Sequence, residues 1–281
     1  MSRRHVLGGG VSAIAALTIT TGSKRAASTT AMESRMRQGT ATPVAEEGRL
    51  LARPEPPTET VAPGLHPLGL DPDRDALLYV PAGYRPEHPA PFVLSLHGAG
   101  GDEEGGLYPL RDLADEAGLI LLAPASRRQT WDVILAGYGP DIAFVDRALA
   151  AAFTRCAVDP AQLAVAGFSD GASYALSIGI TNGDLFHHVM AFSPGFAAPA
   201  GQRGRPRFFV SHGTRDDVLP INRTSRRIVP QLERAGYDVH YREFDGPHTV
   251  PPEIAREALD WYVAEPGSPT PTASPAATPT P

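Results

Sequence analysis

The feature that most constrains this chain is an alternation that runs from about residue 65 to residue 264. Short apolar runs recur at Ala76–Val80, Phe92–Leu96, Leu119–Ala123, Leu163–Gly167, His188–Phe192, Phe208–Ser211 and Val239–Phe244. Between most of them lie segments with helical spacing: Tyr108–Ala117, Ile142–Phe153, Ala172–Ile180, Asn222–Ala235 and Pro252–Val263. Most of these runs, four to six residues long, lack polar alternation and read as strands buried on both faces. Parallel neighbours need a crossover, and a helix supplies it, so the pattern predicts an α/β fold: a mainly parallel sheet with helices on both faces. About 200 residues suffice for one core. Ligands of such sheets bind beyond the carboxyl ends of the strands, so chemistry is sought just after each apolar run.

After Leu163–Ala166 comes Gly167-Phe168-Ser169-Asp170-Gly171, followed directly by a helical stretch. A tight strand-to-helix turn needs small residues around the serine and holds its hydroxyl clear of the backbone, which marks Ser169 as a nucleophile. A serine hydroxyl is inert at neutral pH without a base, and the base needs a carboxylate to fix its tautomer. The next two strand ends carry His212-Gly213-Thr214-Arg215-Asp216-Asp217 and Gly246-Pro247-His248. Asp216 is therefore the expected acid and His248 the expected base, with Asp217 the alternative acid one residue on. The strand Phe92–Leu96 ends in His97-Gly98-Ala99-Gly100-Gly101-Asp102, a loop able to bring backbone N–H groups to a developing oxyanion. The expected donors are the N–H groups of Asp170 and Ala99, with Gly100 the nearest alternative and a possible substrate contact.

Ser193, in Phe192-Ser193-Pro194-Gly195, also follows a strand, but Pro194 has no N–H to give an oxyanion. His97 and His212 are read as buttresses of the site loops, His187 and His188 as the start of a strand, and His240 as a strand residue. No spaced ligand set of the HExxH kind occurs, so neither a metal nor a cofactor is expected. Trp131 and Asp132 follow the third apolar run, and Trp131 is a candidate for lining the substrate pocket. The net charge of −6 argues against a nucleic-acid partner, which needs a basic surface. One cysteine, Cys156, excludes an internal disulfide and reads as a small buried side chain near a helix end.

The ends read differently from the centre. Residues 1–27 open with Arg3-Arg4 and continue through an uncharged, Gly- and Thr-rich stretch, the layout of an export signal of the twin-arginine kind or, alternatively, of an N-terminal anchor. Its weak hydrophobicity favours export, with no stable membrane span in the mature protein. Residues 28–64 lack apolar periodicity and are expected to be a flexible linker; residues 265–281, rich in Pro, Thr and Ser, a disordered tail.

The segments GFSDG, LHGAGGD, HGTRDDVLP and GPH together resemble the serine esterases of the alpha/beta-hydrolase superfamily. With Asp141-Ile142-Ala143-Phe144-Val145 and Val158-Asp159-Pro160, they are similar to the phospholipase/carboxylesterase group and to the polyhydroxyalkanoate depolymerase and feruloyl esterase group. The resemblance covers about residues 70 to 264. It implies the superfamily fold, Ser169, Asp216 and His248 as triad, Ala99 and Asp170 as oxyanion donors, and a small-molecule or polymer ester as substrate. Where many lipases of the superfamily insert a cap, only Ser193–Arg205 separates two predicted strands, which points to an open site and to small or accessible esters. The same constellation serves a peptidase, thioesterase or deacetylase, and the shell alone would serve a non-catalytic surface module.

Overall fold

A computed structural model describes residues 47–135 and 137–264. The expected signal, the first part of the expected linker and the expected tail lie outside them. Eight strands and seven helices follow in chain order among the described residues. They are β1 (Gly64–Pro67), β2 (Ala76–Val80), β3 (Ala90–Leu96), α1 (Glu103–Leu107), α2 (Ala114–Ala117), β4 (Ile120–Pro124), α3 (Asp132–Leu135), α4 (Pro140–Arg155), β5 (Val158–Phe168), α5 (Asp170–Thr181), β6 (His188–Phe192), β7 (Arg207–Gly213), α6 (Ser225–Arg234), β8 (Val239–Phe244) and α7 (Pro252–Val263). The strands form one sheet in the order β1-β2-β4-β3-β5-β6-β7-β8. β1–β2 and β2–β4 are antiparallel pairs; every pair from β4–β3 to β7–β8 is parallel. This is the α/β architecture read from the alternation.

Side chains alternate across the sheet with the strand period of two. Leu78, Phe92, Leu94 and Phe208 join one core with Phe144 and Leu149 of α4 and with Ile178 of α5. Leu77, Val93 and Phe209 face a second core with Ile254, Leu259 and Trp261 of α7. Each such fully buried Leu or Phe is worth about 1.5–3 kcal/mol relative to exposure, so both faces contribute to holding the sheet flat against its helices.

Three local readings are corrected. Tyr108–Ala117 is not one helix: Tyr108 is extended (φ −67°, ψ 136°) ahead of Pro109, and a single 3₁₀ turn at Arg111–Leu113 leads into the short α2. Proline pushes the preceding residue out of the α region and has no N–H to give a helix. The helix expected over Asn222–Ala235 begins only at Ser225, because Thr224 leaves the helical region at φ −123°, ψ −104°. The third correction concerns residues 47–64, expected to be linker. Leu50 is fully buried, and its N–H donates to Asn182 Oδ1 at 2.9 Å while Asn182 Nδ2 donates to the Gly48 carbonyl at 2.9 Å. Arg49 donates to both Asp184 carboxylate oxygens at 2.7 and 2.8 Å, and its hydrogen bonds hold the Asp184 carboxyl well below the usual carboxylate range. The segment is a strap: the N–H groups of Leu50, Leu51 and Ala52 donate to side chains of the body, Asn182 and Asp146, and those of Thr58 and Glu59 to the Thr154 carbonyl. Cys156 caps α4, fully buried; burial pushes its thiol up to about 12, far from a reactive thiolate. No helix among the described residues is long and apolar enough to cross a membrane.

Candidate active site

β5 delivers Ser169 at the carboxyl edge of the sheet centre, and the chain turns there straight into α5. The turn is possible only because two of its residues lack side chains. A Cβ on Gly167 would meet the Gly171 carbonyl oxygen at 2.3 Å, and one on Gly171 would meet the Leu96 carbonyl oxygen at 2.2 Å. Ser169 itself is held at φ 57°, ψ −118°, a conformation costly for any residue with a Cβ. Its N–H donates to the Phe192 carbonyl on β6 at 2.9 Å, which anchors the strained residue to the neighbouring strand.

His248 follows β8 and reaches back over this turn. Ser169 Oγ lies 2.9 Å from His248 Nε2, and His248 Nδ1 lies 2.6 Å from Asp216 Oδ2. Asp216 accepts only, so Nδ1 carries a proton toward it and Nε2 is the nitrogen free to accept from the serine hydroxyl. The loops that carry Asp216 and His248 are stitched together by main-chain bonds: Thr214 N–H to Phe244 O at 2.8 Å and Arg215 N–H to Gly246 O at 3.0 Å. The other Asp216 oxygen, Oδ1, accepts the N–H groups of Val218 at 3.0 Å and Leu219 at 2.7 Å. Asp216 is buried and Asp217 is exposed, so the carboxylate in contact with His248 is the first of the pair. Phe168 packs under the imidazole, with ring centroids 4.7 Å apart.

The glycine-rich loop lies against the serine: a methyl on Gly98 would stand 3.4 Å from Ser169 Cβ. Ala99 is exposed beside it, and Asp170 begins α5. The Gly100 N–H donates to the Gln129 carbonyl at 2.6 Å and is therefore spoken for. His97 pins the base of the loop. Its Nε2 accepts from the Ser126 N–H at 2.9 Å, so the proton sits on Nδ1, 2.7 Å from the Gly98 carbonyl. Burial pushes this imidazole below its ordinary value, which keeps it neutral.

Trp131 is not a pocket residue. It is fully buried, its indole N–H donates to the His97 carbonyl at 2.9 Å, and its ring lies between His97 and Tyr174, stacked on the latter at 4.9 Å. A large aromatic with one donor satisfies that donor inside, and here it props the loop from beneath. Asp132 accepts from the Gly139 and Asp141 N–H groups, both at 2.8 Å, and so organises the turn into α4. Ser193 is fully buried at the end of β6 and φ 54°, with its N–H on the Ser211 carbonyl.

The residues that sequence reading missed are supporting ones. Thr130 Oγ donates to Asp170 Oδ2 at 2.6 Å and ties the turn after Ser169 to the Trp131 loop. On α5, Ser173, Ser177 and Thr181 recur every four residues, and their hydroxyls accept the N–H groups of Gly195, Ala198 and Ala200 at 2.9, 2.9 and 3.1 Å. The segment after β6 is thereby fastened along α5. The four-residue spacing of hydroxyls was visible in the sequence, but their partners some twenty residues on were not.

No family model matches the chain. Among curated proteins it is similar to feruloyl esterase C of Emericella nidulans, 26% identical over 157 residues, which cover 53% of this chain and 57% of that protein. It is also similar to a probable feruloyl esterase C of Aspergillus niger, 25% identical over 171 residues, covering 58% and 61%. The chain thus spans less than two thirds of the length of these curated relatives. Among solved structures it is similar to esterase PE8, with a TM-score of 0.52 and 23% identity over 62% of this chain and 94% of that one. A phospholipase/carboxylesterase from Dyadobacter fermentans gives 0.53 and 20% over 67% and 96%. A fluorophosphonate-binding serine hydrolase of Staphylococcus aureus gives 0.57 and 14% over 68% and 93%. At these identities the likeness is one of fold.

Proposed function

We propose that this chain, which has the alpha/beta-hydrolase fold, is a serine hydrolase of carboxylic esters. One observation carries the reading: Ser169 Oγ, His248 and Asp216 form a continuous hydrogen-bonded chain, 2.9 and 2.6 Å, at the carboxyl edge of a parallel sheet. In the proposed reaction His248 Nε2 takes the Ser169 hydroxyl proton as Oγ attacks the ester carbonyl. The N–H groups of Asp170 and Ala99 receive the oxyanion, and the imidazolium then passes its proton to the departing alkoxide. Water, deprotonated by the same nitrogen, attacks the acyl-Ser169 ester and releases the acid. Asp216 orients the imidazole and stabilises its charged form throughout.

The curated relatives are named feruloyl esterases, and that similarity favours an aromatic acyl group over a long aliphatic one. We further read residues 1–27 as a twin-arginine export signal, from Arg3-Arg4 and the uncharged stretch that follows. The test is a panel of p-nitrophenyl esters from acetate to palmitate beside methyl ferulate, with the full chain and with Ser169→Ala. The proposal expects hydrolysis that falls about a thousand-fold or more in the variant. Methyl ferulate is expected among the better substrates. Equal rates in both proteins would exclude Ser169 as the nucleophile, and cleavage of anilides as fast as esters would favour a peptidase.

A further inference from the structure

His212 stands at the carboxyl end of β7, four residues before Asp216, and has no contact with Ser169 among the bonds of the site. Its ring is fully buried. Nε2 lies 3.0 Å from Asp216 Oδ2 and 2.8 Å from the Leu219 carbonyl, two groups that can only accept. The proton is therefore on Nε2, and Nδ1 accepts from the Ser225 hydroxyl at 2.7 Å. Asp216 Oδ2 thus has two imidazole nitrogens beside it: His248 Nδ1–H donates to it at 2.6 Å, and His212 Nε2, whose N–H is taken by the Leu219 carbonyl, stands 3.0 Å away.

We propose that His212 is a positioning residue that holds the Asp216 carboxylate in place and, by taking part of its charge, lowers the basicity that Asp216 lends to His248. The inference rests on the serine-hydrolase reading above and deepens it. The partial positive charge of an imidazole N–H 3.0 Å from a buried carboxylate offsets some of its negative charge, and such a carboxylate stabilises a neighbouring imidazolium less. With His212 in place, Asp216 orients His248 without over-stabilising the imidazolium. His212 must be neutral to do this, and burial pushes its imidazole below the ordinary value. Ser225, at the first turn of α6, fixes the required tautomer.

The groups facing His212 are few. On its own loop there is Asp216, and beyond β8 there is His248. Glu243 is opposite it in the β7–β8 register, but its carboxylate is taken by Arg226, with bonds of 2.8 and 2.6 Å. From α6 comes the neutral Ser225. Asp216 and His248 couple with it directly, and Glu243 feels its charge across the sheet.

The experiment is the pH dependence of kcat/KM on p-nitrophenyl acetate for wild type, His212→Phe, His212→Gln, Ser225→Ala and Ser169→Ala. Phenylalanine keeps the ring and removes the donor. The acid limb is expected to move up by up to about one unit, the tenfold change that one close polar contact in a buried site supports. Glutamine restores an N–H donor and should bring the limb back toward wild type. Ser225→Ala removes the hydroxyl that Nδ1 accepts from, loosens the ring and should give a smaller shift in the same direction; it carries the test if His212→Phe does not fold. A limb that stays in place in folded Ser225→Ala and His212→Phe, with only the plateau lowered, overturns the proposal and leaves His212 a packing residue. Full activity in Ser169→Ala overturns the serine-hydrolase reading instead, and this inference with it.

Discussion

One side chain, His188, is expected to make a large contribution to the acid sensitivity of the fold. His188 opens β6, 9% exposed, with Trp261 and Tyr262 edge-on to its ring at 5.3 and 5.2 Å. Neither ring nitrogen has a hydrogen-bond partner. A charged imidazole there would be unsolvated, and burial, reinforced by Arg207 and His187, lowers the residue from 6.5 to about 4. Between those two values the unfolded chain binds a proton that the folded chain refuses. Stability contributed by neutral His188 is therefore complete above about 6.5, declines as pH falls, and is gone near 4. The gap corresponds to about 3 kcal/mol. His188→Phe keeps the aromatic shape and removes the titration. Urea unfolding followed by tryptophan fluorescence, at neutral pH and near pH 4, gives the stability difference between the two proteins at each pH. Other titrating groups are common to both and cancel. That difference should move by about 3 kcal/mol in favour of the variant on acidification. A difference that stays constant across the range would show that the folded protein accommodates the charge and would refute the reasoning.

Further outcomes follow from packing. Gly171→Ala drives a methyl into the Leu96 carbonyl; it should cost about 1–3 kcal/mol in denaturant titration and remove esterase activity together with the turn geometry. Leu50→Ala should lower stability by about 2–5 kcal/mol, because Leu50 is part of the core; an unchanged melting curve would return residues 47–64 to the linker. Asp216→Asn should reduce kcat by several orders of magnitude while Asp217→Asn leaves it near wild type, since only the first carboxylate touches His248. Ser177→Ala removes the acceptor of the Ala198 N–H and should raise hydrogen exchange there without changing the ester rate.

The parts of this molecule that were legible in the sequence are those written in local pattern. Buried parallel strands declare themselves as uninterrupted apolar runs, and the turn at Ser169 declares itself by the glycines at 167 and 171, whose backbone contacts leave no room for a Cβ. Chain order then put Asp216 and His248 at successive strand ends. What was illegible depends on partners far along the chain. Arg49 meets Asp184 across 135 residues, and nothing near either residue announces it. Trp131 followed a strand end as pocket residues do, yet the direction of its ring was set by the His97 carbonyl and by Tyr174 on α5. His212 looked like a loop buttress; that its Nε2 stands 3.0 Å from the Asp216 oxygen bonded to His248 needed the loop's coordinates.

The central claim is that Ser169, activated by His248, is the nucleophile. It is tested most directly by treating the full chain with a fluorophosphonate and locating the adduct by peptide mass spectrometry. The account predicts one stoichiometric adduct on Ser169, absent from Ser169→Ala and strongly slowed in His248→Ala. An adduct on another serine, or a folded wild-type protein that takes none, would contradict it.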